Sequence, residues 1–227
     1  IPSTADVVFS SPTTSASHIQ DIVSRQETVL KAEYAVEEPK LVMGVSQHTT
    51  QKIALSAHAS AALVKALHVA PHGVDTFSKT IPGIVETSSN LAIIHVSPEH
   101  IEVVSSHRSS VETARDDVAQ RMMTSLAAIA GLSVRAEGAY PSWTPDPASA
   151  LAEFCRKAYS DYAGKEPVVT AIHAGLECGI INSKVPGMDS VSFGPDMEGV
   201  HSTAERLSLS SSQRISAFLK HLLTIIE

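Results

Sequence analysis

Three prolines fall within seven residues in the stretch "PSWTPDP", at Pro141, Pro145 and Pro147. Proline fixes φ and has no backbone N–H, so neither a helix interior nor a central strand can run through such a stretch. It acts as a boundary between a longer leading portion and a shorter closing one. A chain of 227 residues has room for one large or two small domains and a substantial buried core. With 43% hydrophobic and 18% charged residues, the composition is that of a globular protein rather than a disordered one.

Before the boundary, "ADVVFSS" reads as a short strand by its β-branched run, and "PKLVMGV" as another. Between them, Ile19, Ile22, Val23, Val29 and Leu30 recur at helical spacing over about 15–36, with Ser and Thr available to cap the start. A second amphipathic helix is expected over 49–69, on Ile53, Ala57, Val64 and Leu67. "APHGVDTFSKTIPG" reads as a turn-rich connection, because Pro71, Gly73, Pro82 and Gly83 interrupt regular structure. "SSNLAIIHVS" and "HIEVVSSHRS" alternate with period two and lie close together, which predicts an antiparallel hairpin. A helix over 111–130 and a returning strand at "LSVRAEGAY" follow. The expected fold of this portion is α+β, an antiparallel sheet with helices on one face.

After the boundary the style changes. A helix over 149–163, a strand "PVVTAI", a short helix "AGLECGII", a strand "DSVSFGP" and a last helix over 211–226 alternate. That alternation predicts the closing segment of an α/β domain with a mostly parallel sheet.

A net charge of −7 argues against a nucleic-acid partner, which calls for a basic face. No apolar run approaches the roughly 20 residues that cross a bilayer, and no basic-then-apolar leader is present, so no membrane partner is expected. Cys155 and Cys178 are too few for a disulfide framework. Their apolar surroundings suggest reduced thiols and a cytoplasmic setting.

Several residues carry candidate chemistry. "FGPDMEGVHSTAERLS" leaves a strand candidate through Gly194 and Pro195, placing His201 in a loop at the strand's carboxyl end, where open α/β sheets put their ligands. An imidazole there suits a metal ion, and Glu205 suits an orienting role. The same residues also read as a loop histidine and a solvated Glu205–Arg206 pair, and both readings stay open. In "AIHAGLECGI", Gly175 lets backbone approach a ligand closely. The following helix start suits a carboxylate. His173, Glu177 and Cys178 are potential ligands there, although Cys178 in an apolar turn more often packs than binds. Asn90 lies in one hairpin strand and Arg108 at the end of the other. Arg108 has the planar fork that holds a carboxylate through two bonds, although an arginine facing water is commoner. Glu37 and Glu38 read as a solvated helix end rather than a paired catalytic site.

The stretches "PHGV", "GIVETSSNLAIIHV", "EGAYPSWTPDP", "IHAGLECG" and "PGMDSVSFGPDMEGVHSTAER" together resemble the C-terminal half of the aminoacyl-histidine dipeptidases. This is the bacterial peptidase D or carnosinase-like family of zinc metallopeptidases, and the resemblance spans essentially all 227 residues. It implies a catalytic α/β domain binding two zinc ions, with manganese or cobalt as alternatives, and a lid domain inserted in it. Residues 1–140 would then be lid, and 141–227 the closing segment of the catalytic domain. It further implies that His201 is a ligand of one zinc ion. Asn90, Arg108 and Gly175 would contact a small dipeptide substrate, Arg108 through its carboxylate. The lid would mediate a homodimer.

The family's other ligand motifs and its Glu general base have no counterpart here. The expectation is therefore a chain that begins inside the lid and contains no catalytic residue, as one part of an Xaa-His dipeptidase inactive by itself. Two other readings remain: a non-catalytic lid or dimerisation module, and a related amidohydrolase acting on N-acyl amino acids or tripeptides.

Overall fold

A computed structural model describes residues 2–47, 54–97, 99–129, 132–144, 146–171, 177–200 and 202–226. The chain divides into two compact units, one formed by Pro2–Ala61 with His95–Glu102, the other by Ala62–Ile94 with Val103–Glu227.

The smaller unit is organised by α1 (Ala16–Glu33). Ser15 starts it: its backbone is extended and its hydroxyl accepts the His18 N–H at 3.3 Å, satisfying one of the amides that a helix start leaves unpaired. Lys31 pairs with Glu27 one turn earlier at 2.8 Å. Glu27 also accepts the Met43 N–H at 3.2 Å, tying "PKLVMGV" to the helix. That segment, expected as a strand, is irregular, as is "ADVVFSS". Both have strand-forming side chains, yet neither has a ladder partner among the described residues.

The larger unit contains β1 (Gly73–Phe77), β2 (Val85–Val96) and β3 (Ile101–Ser109), in the order β1-β2-β3, although the tips of β2 and β3 fall in the smaller unit. The expected hairpin is present. The stretch expected as a turn-rich connection instead contributes β1, which pairs antiparallel with β2 from Gly73↔Ser89 to Phe77↔Val85. As an edge strand beside a longer neighbour, β1 needs only five residues, too few for periodicity to reveal.

Helices α2 (Ala57–Val69) and α3 (Glu112–Ala127) cover one face of this sheet. Ala66, Met122 and Leu126 form the buried cluster, with Leu91 and Val103 packed against it from the sheet. Val118 of α3 is fully buried. Toward the other end, the same face turns polar. Thr87 and Ser109 share a hydroxyl–hydroxyl bond of 2.9 Å across the strands. Ser89 donates to the Pro71 carbonyl at 2.8 Å, and the Ser109 hydroxyl accepts the Val111 N–H at 2.9 Å. Each buried hydroxyl is thus satisfied, which spares the sheet the cost of an unpaired polar group.

A second core lies between α4 (Ala150–Ala163) and α6 (Leu209–Ile225), where Cys155 and Ala158 meet Phe218 and Leu222. Phe218 is 2% exposed. It takes the Tyr159 ring edge-on at 5.0 Å between centroids and the Phe193 ring at 5.5 Å. Serine hydroxyls cap both helices, Ser149 accepting from Ala152 and Ser208 from Ser211. Helix α5 (Glu177–Lys184) and a two-stranded pair, β4 (Met197–Glu198) with β5 (Arg206–Leu207), complete the described elements.

The expected parallel sheet is not formed among the described residues. "LSVRAEGAY" and "DSVSFGP" are irregular, as is residues 167–171 of "PVVTAI". Val168 is 91% exposed. Within "DSVSFGP", Val191 packs against the α4–α6 core and Phe193 meets the Phe218 ring edge-on. Alternation therefore records a packed side without a hydrogen-bonded ladder. A parallel strand exists only where neighbours supply its bonds, and here no described segment does.

Candidate functional site

The hairpin sorts its side chains by strand alternation. Counting from the Thr87–Ser109 pair, odd-numbered residues face α3, and Asn90 and Arg108 fall on the opposite face. Arg108 is exposed and Asn90 is half-buried. The Asn90 side-chain oxygen, Oδ1, is enclosed and has no hydrogen-bond partner among the described residues. An orphaned buried acceptor costs roughly 1–3 kcal/mol.

Beside Asn90 along β2, the Leu91 N–H is accepted by the ring nitrogen Nδ1 of His72 at 3.0 Å. The β1 ladder begins at Gly73 opposite Ser89, so the imidazole continues by side chain what the edge strand has stopped doing by backbone. Gly73 carries φ of 90°, a conformation that strongly favours glycine and that turns the chain immediately after His72. The motif "PHGV" contains the residue, but nothing local in it specifies this bond.

On the inward face, His107 bonds Ser105 through Nε2 at 3.1 Å, while Nδ1 is enclosed without a partner among the described residues. Burial, with the nearby Arg121 cation second, pushes this imidazole below its ordinary range. His107 is therefore neutral at neutral pH. Arg121 is itself held by two carboxylates, Asp75 on β1 at 2.7 Å and Asp117 one turn earlier on α3 at 2.9 Å. Those bonds keep its guanidinium protonated. This cluster joins β1 to α3, and sequence reading missed it because the residues are separated by tens of positions.

His173, Gly175 and His201 lie outside the described residues. Glu177 is exposed in the first turn of α5, where a carboxylate complements the helix dipole. Cys178 is half-buried and Cys155 buried, both as free thiols. Desolvation, with Asp189 second, raises the Cys155 thiol, so it packs as a small apolar group and is not a thiolate. Glu37 and Glu38 are exposed, as expected of a solvated helix end. The Arg206 guanidinium reaches across the β4–β5 pair to Glu198 at 2.7 Å. Among the described residues, no group of three or more His, Cys, Asp or Glu side chains is arranged to hold a metal ion. No helix there is long and apolar enough to cross a membrane.

This geometry can be set against proteins of known kind. Residues 11–225 match the model of Peptidase family M20/M25/M40. The chain is 33% identical over 205 residues to the cytosol non-specific dipeptidase of Escherichia coli (strain K12), an alignment covering 90% of this chain and 42% of that protein. In three dimensions it resembles the aminoacylhistidine dipeptidase of Vibrio alginolyticus, with a TM-score of 0.76 and 30% identity over 93% of this chain and 44% of that one. The fold alone is shared with aminopeptidase PepT from Bacillus cereus, at a TM-score of 0.56 and 16% identity over 72% of this chain. The chain thus spans less than half the length of these dipeptidases. Since the family match runs across nearly all of it, the chain belongs to Peptidase family M20/M25/M40.

Proposed function

We propose that this chain forms one part of a metal-dependent dipeptidase and supplies its grip on the substrate. The observation that carries the reading is the pairing, on one sheet face, of an orphaned acceptor at Asn90 with an exposed cation at Arg108. A dipeptide offers the complement of both, an amide N–H to donate and a terminal carboxylate to bind. Arg108 holds that carboxylate through two parallel bonds. Asn90 fixes the peptide plane, which orients the scissile carbonyl. Gly175 adds a backbone contact. Xaa-His dipeptides are the preferred substrates, in keeping with the name of the Vibrio alginolyticus relative.

His201 is one ligand of a zinc pair, whose role would be to activate water and polarise the carbonyl. The described residues by themselves do not fit such a group, since a catalytic zinc takes about three protein ligands and no such set is found among them. Residues 1–140 act as lid and 141–227 as the closing segment of the catalytic domain, with a homodimer formed through the lid, in the cytoplasm.

The test is a rate assay on Gly-His and β-Ala-His with added zinc or manganese. The 227-residue chain alone gives no turnover, whereas the full-length dipeptidase does, and Arg108→Met raises its KM for both dipeptides. Metal-dependent turnover by the chain alone would refute the division of labour. An unchanged KM in Arg108→Met would refute the clamp.

A further inference from the structure

Helix α5 buries Gly179 against backbone. A methyl group on Gly179 would lie 2.9 Å from the Pro141 carbonyl oxygen, 3.2 Å from the Trp143 nitrogen and 3.3 Å from the Ser142 carbonyl carbon. Residues 141–143 therefore rest directly on the helix, in space that any other side chain would fill.

The same segment is fastened on its other side. Ser142 Oγ donates to the Ser109 carbonyl at 2.9 Å, and Thr144 Oγ1 to the Ser110 carbonyl at 2.7 Å. Arg115 of α3 donates to the Tyr140 carbonyl. Ser109 and Ser110 are the two residues that follow Arg108, and the Ser110 N–H completes the end of the hairpin by bonding the Glu86 carbonyl. Residues 140–144 thus form a strap, seated on α5 and bolted to the end of β3. Pro141, with its fixed φ, stiffens the strap from within, so a displacement at one side reaches the other.

We propose that Gly179 is a positioning residue for Arg108: by letting the strap seat on α5, it sets where the end of β3 carries the guanidinium. The inference rests on the reading of Arg108 as the carboxylate clamp. Moving a clamp by a fraction of an ångström weakens it without touching the reacting atoms, so the effect falls on KM rather than kcat.

In the full-length dipeptidase, Gly179→Ala raises KM for a dipeptide roughly tenfold, with kcat little changed. In an Arg108→Met background the same substitution adds nothing, because the group it acts through is gone. Additive losses, or a fall in kcat with KM unchanged, would overturn the proposal. Thr144→Val removes one bolt and leaves α5 untouched. It gives the same KM-only change at smaller size should Gly179→Ala fold poorly, and a fall in kcat alone would again count against the proposal. If Arg108→Met by itself leaves KM unaltered, it is the clamp reading that fails. The link is then read by amide exchange at residues 106–110, which speeds up in Gly179→Ala if the strap sets β3 and is unchanged if it does not.

Discussion

His72 accepts the Leu91 N–H through its ring nitrogen at 3.0 Å, so a side chain extends the sheet just before strand β1 begins and does so next to Asn90. His72→Ala leaves that amide to water or to nothing, at a cost of about 1 kcal/mol. The expected outcome is faster exchange of the Leu91 amide with a modest drop in the urea midpoint. Unchanged exchange at Leu91 would mean that the imidazole contributes nothing to the sheet.

The α4–α6 core converges on one ring. Phe218 touches Tyr159, Phe193 and, at 5.8 Å between centroids, Tyr162. Phe218→Ala removes those contacts and leaves a cavity, an expected loss of about 3–5 kcal/mol, which is much of the stability of an ordinary domain. Phe218→Leu loses less, since most of the volume is kept. Denaturant unfolding measures both. A loss below about 1 kcal/mol for Phe218→Ala would show that this core unfolds independently of the cooperative unit.

His107 makes stability depend on pH in a definite direction. Burial first, and Arg121 second, lower its folded pKa below the ordinary 6.5. The unfolded chain then binds a proton that the folded chain resists, so this contribution is complete above pH 6.5 and declines as the pH falls toward the folded value. His107→Gln keeps a polar group in place and removes the titration. Urea midpoints measured across mildly acidic pH fall less steeply in this variant than in the parent, and parallel curves would assign the dependence to other groups.

The sequence by itself determined the helices and the hairpin. Helical patterning along the chain located α1, α3, α4 and α6, with serines at the starts of α1, α4 and α6. The serine caps at Ser15, Ser56, Ser149 and Ser208 sit where a helix needs acceptors for its first amides. Short spacing and alternation located β2 and β3, and with them the candidate pair Asn90 and Arg108. Every bond in these elements lies within one segment or between adjacent ones, so local order in the chain suffices to specify it.

What only the tertiary structure decided involves partners far apart in sequence. Strand β1 exists because β2 is there to pair with it, whereas "PVVTAI", for all its β-branched residues, has no described neighbour to bond across residues 167–171 and stays exposed at Val168. Asp75 meets Arg121, His72 meets Leu91, and the 140–144 strap meets both Gly179 and Ser109. A helix closes its hydrogen bonds four residues away, but a strand, a buried charge or a glycine under a passing backbone acquires its meaning from a segment that the local pattern does not name.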